Sequence, residues 1–448
     1  MKERVIKNQY VSKVLGGGVC LSLLFFASLA QTEVLTFTEV WEKIKDNSPA
    51  IEASSHRVEA SVIANETAEK NLWIPTAYLE GRVYNTNDPG AVFMGKLEQR
   101  SVKQNDFDPD VLNQPGYQNY WQGKLGVDLP LYVGGQLVNQ SNLSQHDVKL
   151  QKTMGKMTKL SQYTSVVQHY GKVLVTERQV QLLQQLEKEI SVLIKQYKLG
   201  GKENPVGHSG ILGLKSLRNR VIGLMQMYQA LNETQFESLK ALGVSQENWS
   251  PELINFEDFV NKYISFDKKT NVDLSFGSIA MEEQVRMAEL AVEMEKANLR
   301  PKIGLFAETS KFSGDRQTDS SVTAGVYLQW GLFDLASRGR VREKTELALA
   351  KKKSADAFRL GESVDRVSLY RQLTTLRENA RLIEENLGLN QEQIKTSTTL
   401  FRNGSINVLQ FVELLNRRTD IIEKQTEIRL MWLQLAAVAL NKEPFEIK

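Results

Sequence analysis

The chain repeats itself. "AEKNLWIPTAYLEGRVY" (68–84) is echoed by "EMEKANLRPKIGLFAETS" (293–310), and "GVDLPLYVGGQLVNQ" (126–140) by "GVYLQWGLFDLASRGR" (325–340). Pro75 and Pro301 mark equivalent places, as do the turn at Gly200 and Gly201 and the turn at Gly404. Such self-similarity means two copies of one supersecondary unit. Each copy reads helix, strand, loop, strand, very long helix, turn, long helix. The spacing predicts a first repeat over 31–243, an equatorial linker over 244–275 and a second repeat over 276–448. The copies differ chiefly between their strands. The first carries a long insertion over 85–119, the second only "KFSGDRQTDS".

The strands, expected near 76–85, 120–132, 302–310 and 321–333, alternate apolar and polar residues. Ala77, Leu79 and Val83 oppose Tyr78, Glu80, Arg82 and Tyr84; Val322, Val326 and Leu328 oppose Thr323, Tyr327 and Gln329. Only 302–310 is irregular, because Phe306 falls on the polar side. Period two gives one apolar and one polar face. A half-buried soluble sheet and a membrane barrel share that pattern, but aromatic residues at both strand ends favour the barrel. Trp73, Tyr132, Trp330 and Phe333 lie near one end, and Tyr84, Tyr120 and Trp121 near the other.

The helices follow a different rule. Leu183, Leu186, Ile190, Leu193 and Tyr197 are spaced 3, 4, 3, 4, and the series Leu214, Leu217, Val221, Leu224, Tyr228 continues it. This is the 3.5-residue repeat of coiled-coil packing. Residues 137–198 and 337–400 read as unbroken helices, and no proline occurs from 131 to 204 or from 302 to 443. At 1.5 Å per residue each spans on the order of 90–95 Å.

Four strands cannot close a barrel, since membrane barrels begin at about eight strands. An open sheet edge in lipid leaves N–H and C=O groups unsatisfied, each costing several kcal/mol. Long helices with one apolar seam need neighbours too. A ring of identical chains satisfies both demands.

At this point the residues meet a known family. "NLWIP…LEG" and "NLRPK…LFAE", the strand-to-helix passages "GVDLPLYVGGQL" and "GVYLQWGLFDLASRGR", and the tips "YKLGG" and "LFRNGSINVLQF" together resemble the TolC-like outer-membrane efflux proteins of Gram-negative bacteria. The resemblance covers nearly all of the chain after residue 31. It implies a mainly α fold with a membrane β-barrel portion: a homotrimer with a twelve-strand barrel continuous with a twelve-helix periplasmic tunnel. It also implies an exit duct for drug efflux or type I secretion, working with a periplasmic adaptor and an inner-membrane pump. The tip near 200–208, "GGKENPVGH", is more elaborate than the family's short turn, and the 85–119 loop would lie outside the cell, over the pore.

The chain's start fits export. Lys2, Arg4, Lys7 and Lys13 precede the apolar run "VLGGGVCLSLLFFASLA", with Ser28 and Ala30 at the positions a signal peptidase reads. Residues 1–30 are therefore expected to be a cleaved signal peptide. They hold Cys20, the single cysteine, and the whole excess of the +3 net charge. No basic footprint for nucleic acid is left.

No enzyme or cofactor motif stands out. The four histidines lack ligand spacing, and there is no P-loop and no GxSxG. No metal and no cofactor are expected. Attention moves to the tips. Glu189 lies 11 residues before Gly200, and Glu392 lies 12 before Gly404, which are equivalent depths on two helices. In a threefold assembly each becomes a ring of carboxylates. The resemblance makes Glu392 the first candidate for a constriction and Glu189 the second; a solvated glutamate is the plain alternative. It also places adaptor contacts at Leu199, Gly200, Gly201, Arg402, Asn403, Gly404 and Ser405. Glycine has a purely structural reason to be there, since it accepts φ > 0 at a helix end. A soluble periplasmic coiled-coil adaptor or scaffold is the competing reading.

Overall fold

A computed structural model describes residues 33–197, 201–244, 249–264 and 275–442. The expected signal peptide, and with it Leu199 and Gly200 at the first tip, lies outside the described residues.

The first half opens with strand β1 (Glu33–Leu35) and helices α1 (Phe37–Asn47) and α2 (Pro49–Lys70). Strand β2 (Thr76–Thr86) leads into an excursion: α3 (Pro89–Glu98), a 3-10 turn (Gln104–Phe107) and α4 (Pro109–Asn113). Strand β3 (Gln118–Val133) returns to α5 (Gln136–Gln196), and α6 (Pro205–Leu242) runs back from the tip. Next come β4 (Trp249–Pro251) and α7 (Phe256–Tyr263). The second half is α8 (Phe276–Ala297), β5 (Lys302–Ser313), β6 (Thr318–Gln329), α9 (Leu335–Arg402) and α10 (Val408–Leu440). The order of the two halves repeats as the sequence implied. Strands β5 and β6 both extend toward their shared turn, and β6 stops before Trp330, so Trp330 and Phe333 lie in the passage to α9.

The long strands form one antiparallel sheet in the order β2-β3-β5-β6. The register sets their faces. Leu79 pairs with Leu125, Leu125 with Thr309 and Thr309 with Val322, a row on the apolar face. Leu79, Val83 and Val322 are about 80% exposed (81%, 79% and 81%). The other face carries Lys124 bonded to Glu308 at 2.7 Å and the Tyr78 hydroxyl donating to Glu308 at 3.2 Å. Phe306 sits on this polar face because it lies across Gly325, where an added Cβ would be only 3.0 Å from its ring. Its break in the alternation is therefore local packing and not a loss of the strand. A bulge between Pro130 and Tyr132 lets Tyr132 pair with Ile303 on the apolar side, where strict alternation would turn it to the polar one.

Two of the seven aromatics expected at membrane interfaces are corrected. Tyr84 and Tyr120 pair across β2 and β3 on the polar face, ring centroids 5.5 Å apart. Tyr120 is buried under α3 and donates to the Val92 carbonyl at 3.2 Å. Alternation placed both on the polar face, and the excursion covers Tyr120. Trp73, Trp121, Tyr132, Trp330 and Phe333 are exposed.

Helices α2, α5, α8 and α9 continue the strands in the same lateral order, each packing on the next. Midway, β1 pairs in parallel with β4, and α1 and α7 close over them. This layer holds the larger core: Phe37, Trp41, Tyr163, Tyr170, Phe259 and Trp432 at its centre. Phe37 meets Tyr163, Tyr170 and Phe259 edge-on at 5.5–5.6 Å. Below it, α5, α6, α9 and α10 form a second core from Leu183, Leu186, Ile190, Leu214, Leu217 and Val221 with Phe411 and Leu415. These are the residues of the 3-4 spacing, so the heptad reading gave the packed seam correctly.

Candidate functional site

The tips of both hairpins are built by local capping and then tied together. Helix α9 ends at Arg402, and Gly404 has φ +76°. The Ser405 N–H donates to the Leu400 carbonyl at 2.9 Å and the Gly404 N–H to Phe401 at 3.1 Å, a complete Schellman closure. Asn407 then starts α10 with a reciprocal cap: Gln410 N–H to Asn407 at 2.9 Å, and Asn407 N–H to Gln410 at 3.1 Å. At the other tip Asn204 caps α6, accepting from the Gly207 N–H at 3.1 Å, and Pro205 takes the first helical position. The structural reason for glycine therefore holds at Gly404 and not at Gly201, whose φ is outside the positive region.

Aromatic rings bridge the hairpins. Tyr197 stacks on Phe401 at 5.9 Å, and Phe401 on Phe411 at 5.2 Å. Helices α6 and α10 touch at Gly210, where a Cβ would sit 1.9 Å from Val408 Cγ1. Around these contacts a groove of about 510 Å³ is walled by Tyr197, Asn204, Phe401, Arg402, Gly404 and Asn407. Arg402 and Gly404, two expected contact residues, border it, with Asn403 and Ser405 in the same exposed turn. Gly201 is exposed on the other tip.

A second groove of about 770 Å³ lies one to three turns higher, between α5 and α9. Both Glu189 and Glu392 open onto it, together with Lys188, Lys395 and Arg418. The two glutamates differ. Glu189 accepts from Arg418 Nη1 at 3.0 Å, and Arg418 is buried. Glu392 is exposed, and among the described residues no ion pair to its carboxylate is found. Two residues before Glu189, the Glu187 carboxyl is held below its usual range by the Ser191 hydroxyl and by Arg218, whose Nε lies 2.6 Å away. Sequence reading missed Arg418, a lone arginine in an apolar seam, which offered no signal until the partner helix was known.

Among the described residues no cluster of three or more His, Cys, Asp or Glu could hold a metal ion, and no helix is long and apolar enough to cross a membrane. His146 contacts Glu283 at 2.6 Å and His169 contacts Gln235 at 2.9 Å, both between helices.

No protein-family model matches the sequence, and neither does any curated protein. The fold, however, matches solved structures. CusC shares it at a TM-score of 0.73 and 11% identity, over 92% of this chain and 94% of that one. The outer membrane protein VceC from Vibrio cholerae does so at 0.70 and 12%, over 92% and 97%. The Campylobacter jejuni CmeC outer membrane channel does so at 0.71 and 12%, over 92% and 86%. At such identity the likeness is one of fold, and it spans nearly the whole of each molecule.

Proposed function

We propose that this chain, whose fold is that of the TolC-like outer-membrane channels, acts as one third of a passive exit duct. Three copies would pair β6 of one with β2 of the next, closing a twelve-strand barrel whose apolar face meets lipid. Their helices would continue it as a twelve-helix periplasmic tunnel. A periplasmic adaptor would dock at the tip turns, and an inner-membrane pump would supply the energy for efflux or type I secretion.

The observation that carries this reading is the sheet. It has two unpaired edges, β2 and β6, and an outward face of exposed Leu and Val. Edges of about a dozen residues leave half of their backbone groups unpaired. In lipid, at several kcal/mol each, that amounts to tens of kcal/mol that only closure recovers. A soluble coiled-coil adaptor would leave the apolar face in water, and among the described residues nothing covers it.

The mechanism is electrostatic and geometric. Widening the tips would part the groove that holds Glu189 and Glu392, moving two carboxylate rings away from the axis. Because Arg418 already offsets Glu189, Glu392 would dominate the resting cation preference. The test is planar-bilayer recording. Glu392→Gln is expected to lower the cation-to-anion permeability ratio by about twofold or more, and Glu189→Gln by less. Unchanged selectivity in both variants would remove the constriction from these residues.

A further inference from the structure

The 87–117 excursion is a folded cap and not an open loop. It lies at the strand ends away from the long helices, on the polar face of the sheet. Gly95 of α3 rests on the Tyr120 ring, where an added Cβ would be 2.6 Å from it, and Val92, Tyr120 and Phe312 form a small core beneath. The cap is also latched to the β5–β6 turn. Asp106, 2% exposed, accepts from Arg316 Nη2 at 2.6 Å and from Lys96 Nζ at 3.0 Å. The side chain of Gln99, fully buried, accepts from the Arg316 and Gln317 N–H groups at 3.1 Å. Helix α3 therefore has a fixed inner side, Val92, Gly95 and Lys96, against the wall. The opposite side presents Met94 and Leu97, 55% and 44% exposed.

Size decides what three such caps do. Twelve strands spaced about 4.8 Å and tilted about 40° make a wall of roughly 12 Å radius. A helix with its side chains is about 10 Å across. One α3 laid on the inner wall thus reaches nearly to the axis, and three leave almost no open path. Met94 and Leu97, which arrive there, are apolar, whereas the same face of the sheet carries Tyr78, Glu80, Arg82, Lys124 and Glu308.

We infer that the outer mouth is a second constriction, formed where Met94 and Leu97 of α3 meet the same residues of the other two copies. This rests on the trimeric duct proposed above. An apolar ring of this kind resists wetting and so blocks ions and small polar solutes. Its occupant is a second copy of the chain, because the threefold closure that the open sheet edges require carries the three caps to one axis. The duct would then be narrowed at both ends, and cargo leaving the cell must lift the cap from its Asp106–Arg316 latch.

The test is a Met94→Cys variant in a Cys20→Ser background, purified in detergent and oxidised. Disulfide-linked dimers on a non-reducing gel are expected, with Ser320→Cys, on the lipid side of β6, giving none. In planar bilayers, oxidation should cut the conductance of Met94→Cys severalfold and reductant should restore it. If trimeric channels form but Met94→Cys neither cross-links nor responds to thiol reagents added on the outer side, the constriction is overturned and the duct stands. If no trimer or channel forms even in the unmodified chain, the duct reading fails and the inference with it.

Discussion

Gly404 is the clearest case of one residue fixing local geometry. Its φ of +76° costs an L-residue about 1–2 kcal/mol. Gly404→Ala is expected to destabilise the tip by about 1 kcal/mol, read as faster amide exchange over 399–410, whereas Gly201→Ala should change little. Sequence reading treated the two glycines alike because their flanks look alike; the distinction depends on backbone angles that no local pattern encodes. Asp106 is a second single-residue control. Arg316, foremost, with the Lys103 N–H and Lys96, holds its carboxyl well below the ordinary 3.8. The sign follows: a depressed folded value means the latch contributes fully above pH 3.8 and is lost as pH falls further below it. Pepsin should therefore spare residues 100–117 at pH 4 and cut them at pH 2, and Asp106→Asn should make them labile already at pH 4. Equal cleavage of both proteins at pH 4 would deny the latch its role.

Among the elements, periodicity carried most of the information. Period two gave the strands, and the 3-4 spacing gave the seam of α5 and α6, because each reflects a single continuous buried face. What escaped was set by contacts across the chain. The bulge that turns Tyr132 to the apolar face depends on pairing with β5, and Tyr120 was misjudged because α3, which covers it, lay in an insertion with no periodicity. Asn390 shows the same limit. It lies on the α9 seam between Leu387 and Ile394, buried with its amide unpartnered among the described residues. Buried asparagines at such positions fix helix register at a cost in stability. The two sheet faces offer a direct comparison. Val322→Arg, on the apolar face, should cost about 2–4 kcal/mol and reduce assembled protein in outer membranes, while Thr323→Lys, one residue along, should assemble normally. Equal yields would mean that lipid does not touch this face.

At the scale of the whole molecule, the sheet is open at both sides. The duplication supplies four strands and four long helices, and the structure leaves β2 and β6 as open edges. The geometry near the tip was only partly readable: the depth of Glu189 and Glu392 followed from counting, but Arg418's hold on Glu189 did not. The resemblance in sequence extends to order and duplication and not to residue identity, which agrees with likeness in fold at 11–12% identity to CusC, VceC and CmeC. Such divergence is compatible with one fold, since many side-chain sets satisfy one alternation.

The measurement that bears most directly on all of this is the mass and shape of the detergent-purified protein, by mass photometry and electron imaging. Helices α5 and α9, of 61 and 68 residues, with the proposed barrel about 30 Å tall, would make a particle on the order of 130 Å long. A threefold particle of that length, with three times the mass of one mature chain, each below the 50.7 kDa of the full 448 residues, is the expected result. A detergent-free monomer that stays soluble and folded would contradict it.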